Sequence, residues 1–252
     1  MRRAWALAAA LAALLVAGCG DDGDAAGDRP RLVVSAAASM TEALEACSPA
    51  FAGADVRLSF AGSDELAAQI RQGVKPDVYA AANTTLPGEL HEEGLLGRPV
   101  EFVANTLVVA VPSDSGIASV EELARDGVKV AIGSETVPIG SYTREVLARL
   151  PSRFGDAILA NVRSNEPDVK GIVGKLTQGA ADAGFVYESD VEAASDELEA
   201  LPLPGEAQPS VVYAAGVVEG ARQPEPAGRY LDGLVSGRCY DALRDAGFGP
   251  LK

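Results

Sequence analysis

The sequence predicts an α/β protein of two lobes with a ligand cleft between them, each lobe built on a mainly parallel sheet. Three observations indicate this class. Short β-branched runs alternate with stretches of helical spacing, and the alternation resumes after an apolar strand near residue 107. Strands that alternate with helices are typical of parallel sheets covered on both faces. The 252 residues amount to about one and a half typical domain lengths, enough for two small units.

The predicted elements follow in chain order. The first unit contains strands at 31–36, 55–60 and 77–81, with helices at 39–51 and 64–72 between them. The second unit contains strands at 107–111, 128–132 and 183–187, and helices at 141–150 and 167–178. A long apolar strand follows at 211–218, and helices are predicted at 222–234 and 240–246. We expect the strands near 107 and 212 to connect the lobes, so that 31–108 with 214–252 form the first lobe and 109–213 the second.

Composition and charge exclude several classes of function. The chain is 48% hydrophobic and 23% charged, as expected of a folded globular protein. It has 21 Lys and Arg against 36 Asp and Glu, and a formal net charge of −15 offers no basic surface to nucleic acid. The single histidine, His91, leaves no partner for a His-based catalytic dyad or a His-rich metal site. We expect His91 to be a solvated helix residue and assign it no function.

The N-terminus has the pattern of an export signal. Arg2 and Arg3 precede an apolar stretch at 4–16 that is too short to span a membrane. The closing segment Val16-Ala17-Gly18-Cys19 resembles a bacterial lipobox, which implies cleavage before Cys19 and a lipid on its thiol. Residues 1–18 are then a lipoprotein signal peptide, 19–29 a flexible tether, and the protein is exported and lipid-anchored to the outer face of the cell membrane. The alternative is an ordinary secretory peptide with an incidental cysteine.

Two further cysteines are expected to pair. If lipid occupies Cys19, Cys47 and Cys239 remain as an even pair in an exported chain, where oxidising conditions favour a disulfide. Both belong to the predicted first lobe and can meet without crossing the cleft. Two buried, unpaired thiols that fill space in the core are the alternative.

Four tetrapeptides stand at predicted helix starts: Ser39–Glu42, Gly62–Glu65, Val137–Gly140 and Glu166–Val169. The simplest interpretation is that they cap helices, with Ser39 and Glu42 forming a capping box and Ser63 capping the next helix. However, the carboxyl ends of parallel strands are where ligands bind, and helix N-termini offer unpaired N–H groups to anions. None of the four tetrapeptides contains Arg or Lys, so a shared site would be neutral apart from dipoles.

Three of these segments, with one more, carry a family resemblance. The sequence is similar to the periplasmic molybdate-binding proteins of ABC transporters in four separated motifs: AAASMTEA at 36–43, FAGSDELA at 60–67, VPIGSY at 137–142 and GFVYESD at 184–190. The resemblance covers about Arg31 to Phe248. It implies a type II periplasmic-binding-protein fold and a monomer that binds molybdate or tungstate between its lobes for an ABC permease. It implies neither an enzyme nor a cofactor.

The resemblance also implies the ligand contacts, all from neutral donors. They are the hydroxyls and N–H groups of Ser39 and Ser63, the backbone N–H groups of Ile139 and Val169, and the hydroxyl of Tyr187. Gly62 and Asp64 stand where other members often have serine, and Ile139 is bulkier than the usual Ala or Val. The side chains of Asp64, Glu65 and Asp168 are expected to point outward from the first turns of their helices, because a carboxylate in the site would repel an anion.

Three other functions are alternatives for a sequence of this kind. A ring of neutral donors would also suit another tetrahedral oxyanion, such as sulfate, thiosulfate or phosphate. An enzyme on the same fold is disfavoured by the single histidine, the lack of a nucleophile elbow and the lack of clustered metal ligands. The sensor half of a transcription regulator would need a DNA-binding domain and no export signal, and residues 1–29 fit neither requirement.

Overall fold

The computed structural model describes residues 29–251. The predicted export signal at 1–18, the lipidation residue Cys19 and all but the last residue of the predicted tether lie outside the described residues. Within 29–251, no helix combines the length and apolar character needed to cross a membrane.

The described part of the chain contains ten strands and nine α-helices. The strands are β1 (Arg31–Ala37), β2 (Asp55–Ala61), β3 (Val78–Ala81), β4 (Val100–Asn105), β5 (Leu107–Pro112), β6 (Val130–Gly133), β7 (Val162–Glu166), β8 (Ala183–Tyr187), β9 (Leu198–Pro202) and β10 (Val211–Val217). The α-helices are α1 (Thr41–Cys47), α2 (Ser63–Arg71), α3 (Thr85–Glu92), α4 (Pro138–Arg149), α5 (Ser152–Ala160), α6 (Val169–Thr177), α7 (Glu188–Ala193), α8 (Pro224–Ser236) and α9 (Arg238–Asp245). Short 3₁₀ segments lie at 38–40, 48–50, 120–124 and 205–207.

The strands form two five-stranded sheets, and we call each sheet with its helices a lobe. The first sheet has the order β2-β1-β3-β10-β4, and the second has the order β7-β6-β8-β5-β9. Strand β8 is buried along its whole length, and β1 is buried over most of its own, because helices or the other lobe cover both faces. This architecture has the two-lobed α/β form that the sequence predicts.

The prediction of mainly parallel sheets is confirmed, with one reversed strand in each sheet, β10 in the first and β5 in the second. Strand β1 runs parallel to β2 and β3, and β6 runs parallel to β7 and β8. By contrast, β10 is antiparallel to β3 and β4, and β5 is antiparallel to β8 and β9. The reason is that β5 and β10 carry the chain from one lobe to the other. They enter their sheets at the edge where the parallel strands end, and so they run in the opposite direction.

The chain changes sheets a few residues away from the predicted positions. Strands β4 and β5 are joined through Thr106, and the return segment lies at 203–210. The predicted limits at 108 and 213 therefore fall inside β5 and β10. Helices α8 and α9 pack on β10 and α1 respectively, so the C-terminal segment belongs to the first lobe.

Five described elements were not predicted: β4, β7 and β9, and α5 and α7. His91 is an exposed residue of helix α3, as expected. Strands β4, β7 and β9 lie at sheet edges, where one side of the strand is unpaired and polar residues interrupt the apolar pattern. Predicted strands were otherwise close to the observed ones, and 183–187 coincides with β8.

A disulfide links the end of α1 to α9. Cys47 and Cys239 are both buried, their Cα atoms are 5.1 Å apart, and 192 residues separate them in the sequence. The bond therefore closes a loop that contains the entire second lobe.

We expect the double variant Cys47→Ser/Cys239→Ser to unfold more easily by up to about 5 kcal/mol, because the long loop is no longer closed in the unfolded chain. Chemical denaturation of the variant and of the untreated protein measures the difference, and reductant should bring the untreated protein to the value of the variant. Two free thiols that titrate in the denatured, unreduced protein would contradict the bond.

Candidate functional site

A cavity lies between the two lobes, where strands from both sheets end. Its walls come from the ends of β1, β2, β3 and β8 and from the starts of α2, α4 and α6. The lining residues are Ala37, Ala38, Ser39, Ala61, Gly62, Ser63, Ala82, Val137, Pro138, Ile139, Asp168, Val169 and Tyr187. No Lys or Arg is among them, and Asp168 is the single ionisable acid.

The structure brings all five predicted site residues to this cavity. They are Ser39 and Ser63 from the first lobe, and Ile139, Val169 and Tyr187 from the second. Each is at most 4% exposed. The cavity therefore combines two serine hydroxyls, one tyrosine hydroxyl and the first turns of three helices.

The capping interpretation of the two serines is wrong. Ser39 lies in the 3₁₀ segment at 38–40, and its Oγ is 2.8 Å from the hydroxyl of Tyr213. The cap of α2 is Gly62, and Ser63 Oγ instead accepts a hydrogen bond from the N–H of Ala82 at 3.1 Å. Neither hydroxyl caps its own helix, so both are placed at the cavity wall by contacts with other elements.

The starts of α4 and α6 present backbone donors. Pro138 occupies the first position of α4 with the fixed φ that suits it, and the N–H of Ile139 follows. In the described chain, neither this N–H nor that of Val169 has a hydrogen-bond acceptor. Because α4 has 12 residues and α6 has 9, both bring a partial positive charge to the cavity.

The expectation that three carboxylates point away from the site is wrong for Asp168. Asp64 is not among the lining residues, and Glu65 is exposed and accepts a hydrogen bond from Gln69 on its own helix. Asp168 caps α6 and lines the cavity, and its Oδ1 accepts a hydrogen bond from the N–H of Gly171 at 3.0 Å. Asp64 accepts a hydrogen bond from the hydroxyl of Thr136 in the other lobe. One oxygen of Asp64 and one oxygen of Asp168 each accept a hydrogen bond, which reduces the repulsion that an anion would meet.

Tyr187 carries the most unusual group of the site. Its side chain is 1% exposed, and its hydroxyl has no hydrogen-bond partner within 29–251. Burial raises the pKa of this hydroxyl well above its ordinary value of 10, so it remains a protonated donor at neutral pH. Buried polar groups without partners are rare and costly, which indicates a binding role for this hydroxyl.

Tyr213 supports the site and was not predicted. It lies on β10, its hydroxyl bonds Ser39, and its ring centroid is 6.0 Å from that of Tyr187. Phe102 and Phe248 pack on the same ring with centroids at 6.3 and 5.2 Å. Nothing in the run VVYAAGVV indicates that its tyrosine contacts a serine 174 residues earlier.

The two lobes are closed on each other around the cavity. Lys170 in the second lobe bonds Glu42 in the first, and Asp64 bonds Thr136. Gly62 lies so close to the second lobe that a Cβ atom there would be 2.4 Å from the carbonyl oxygen of Pro167. These contacts exist only when the lobes are together.

Comparisons with known proteins agree with this architecture. The family model for bacterial extracellular solute-binding proteins matches residues 32–249. The molybdate-binding protein ModA of Mycobacterium tuberculosis is 33% identical over 255 residues, which cover 94% of this chain and 95% of the relative. ModA of Escherichia coli is 30% identical over 211 residues, or 79% and 81% of the two chains. The periplasmic molybdate-binding protein of Azotobacter vinelandii superposes with a TM-score of 0.78 at 20% identity, covering 88% of this chain and all of that one.

The two tyrosines of the site should respond differently to loss of their hydroxyls. We expect Tyr213→Phe to lower the free energy of unfolding of the ligand-free protein by about 1 kcal/mol, because Ser39 loses its partner. Tyr187→Phe should leave it unchanged or raise it, because the hydroxyl it removes is unpaired. Urea denaturation of both variants measures this contrast, and equal losses would contradict it.

Proposed function

The chain belongs to the bacterial extracellular solute-binding proteins, among the molybdate-binding members, and we propose that it captures molybdate outside the cytoplasm and delivers it to an ABC transporter. The observation that carries the proposal is the cavity between the lobes, in which a buried, unpartnered tyrosine hydroxyl joins serine hydroxyls and helix N-termini. An oxyanion placed there would supply the acceptor that Tyr187 lacks.

The chemistry of the lining favours a fully ionised oxyanion. Hydroxyl and N–H groups can all donate to it, and the helix dipoles oppose its charge without a formal cation. A site without Lys or Arg holds the anion by directed hydrogen bonds, which depend on the positions of its oxygens. We infer that tungstate, which has the same tetrahedral shape and charge, binds in the same way.

The proposal also covers the oligomeric state of the protein, its place in the cell and its protein partner. We infer a monomer that binds its ligand without catalysing a reaction and without a cofactor. We infer that 1–18 direct export and that lipid on Cys19 holds the protein at the outer face of the membrane, with the segment at 19–29 as its tether. The permease of the same transport system is then the protein partner.

A panel of oxyanions tests the ligand. We expect molybdate and tungstate to raise the melting temperature strongly, because a ligand at about a thousandfold its Kd stabilises the folded protein by about 4 kcal/mol. Sulfate and phosphate should have little effect at the same concentration. A shift with sulfate equal to that with molybdate would contradict the assignment to molybdate and favour another tetrahedral oxyanion, and Tyr187→Phe should reduce the shift with the true ligand.

Substitution of Gly62 tests whether closure of the lobes is needed. Gly62 has φ −58°, which alanine adopts freely, but the added Cβ would meet the carbonyl oxygen of Pro167 across the cleft. We expect Gly62→Ala to weaken molybdate binding by about 1 to 3 kcal/mol, the usual cost of overpacking, while the protein still folds. Isothermal calorimetry measures this loss.

Gly88→Ala is the matched control, because an added Cβ at this position of α3 meets nothing within 4 Å. It should bind as the unmodified protein does. If Gly62→Ala also retained full affinity, the closed arrangement would not be the one that binds ligand.

A further inference from the structure

A lysine lies beside the cavity and contacts both lobes. Lys170 is the second residue of α6, directly after Val169, and its Nζ is 2.8 and 2.9 Å from the two carboxylate oxygens of Glu42 on α1. The same Nζ is 3.3 Å from Oδ1 of Asp190 on α7. One ammonium group therefore joins one carboxylate of the first lobe to one of the second.

Asp190 extends this contact to the site. Its side chain is fully buried, and its Oδ2 accepts a hydrogen bond from the backbone N–H of Tyr187 at 3.2 Å. Its Oδ1 has no hydrogen-bond partner of good geometry in the described residues, so the ammonium of Lys170 is the group that compensates it. Burial raises the pKa of Asp190 to about 6, which leaves it charged at neutral pH.

We propose that Lys170 is a positioning residue that latches the lobes in the closed arrangement, by bridging Glu42 to the Asp190 carboxylate that holds Tyr187. The inference rests on the proposed function. When the lobes separate, Glu42 leaves with the first lobe, while Lys170 and Asp190 remain together in the second. The closed arrangement is therefore stabilised by an ion pair that the open one lacks.

The latch should affect release of the ligand more than capture. Ligand enters while the lobes are apart, before the Glu42 contact exists. Ligand can leave only after that contact breaks, so loss of the ion pair should increase the dissociation rate. Because Glu42 and Lys170 are partly exposed, the effect is expected to be modest.

The experiment measures the release of radiolabelled molybdate from the protein after addition of excess unlabelled molybdate. Glu42→Gln and Lys170→Met should each release it roughly two- to fivefold faster, with little change in the association rate. The double variant should be no faster than Lys170→Met, because Lys170→Met already removes the ion pair that Glu42→Gln removes. Lys170→Arg, which keeps the charge, should restore slow release.

Lys175→Met is the matched control. Lys175 lies on the same helix α6 but faces Glu166 at 3.8 Å within the second lobe, so its loss should leave release unchanged. Unchanged release from Glu42→Gln, or effects of the two single changes that add in the double variant, would overturn the latch.

A ligand-free measurement separates this inference from the function. Small-angle X-ray scattering should give Glu42→Gln and Lys170→Met a larger radius of gyration than the unmodified protein and Lys175→Met. If the unmodified protein bound no molybdate, the proposed function would be contradicted, and the latch would be tested by the radii of gyration alone. Equal radii for the variants and the unmodified protein would then overturn the latch.

Discussion

The site is organised around Tyr187, a buried residue with contacts to both lobes. The backbone N–H of Tyr187 donates to Asp190, and its ring packs on Tyr213, whose hydroxyl is hydrogen-bonded to Ser39. These contacts connect the end of β8 in one lobe to the end of β1 in the other. A hydroxyl left without a partner in such an ordered setting costs free energy, which the proposed oxyanion would recover by accepting its hydrogen bond.

The site holds no formal positive charge, although the chain carries a net charge of −15. Attraction for an anion would come instead from helix N-termini. Helices α2, α4 and α6 all begin at the cavity, and each brings a partial positive charge and backbone N–H groups. Backbone donors are fixed by the helices and need no reorganisation on binding, whereas Arg or Lys would also attract other anions in the medium. A neutral donor set is therefore expected to attract an anion less strongly than a site with Lys or Arg, but to distinguish anions better by their shape.

The sequence was informative where local patterns decide structure. The apolar runs located β1, β3 and β8 closely, and the family motifs identified five of the residues that line the cavity. The reversed direction of β5 and β10 could not be predicted in the same way, because it follows from the path of the chain between the lobes. Capping, the simpler alternative for the two serines, fails for a related reason, since their partners Tyr213 and Ala82 are distant in sequence.

The closed cleft is held by contacts between residues that are far apart in the sequence, so no single segment predicts it. Gly62 provides space for the carbonyl oxygen of Pro167, and Thr136 and Lys170 provide polar contacts to Asp64 and Glu42. Each contact is weak or merely permissive, so the closed arrangement remains reversible, as release to a transporter requires. The contacts of Gly62 with Pro167 and of Asp64 with Thr136 lie next to residues that line the cavity, so closure of the lobes and completion of the donor set are the same structural event.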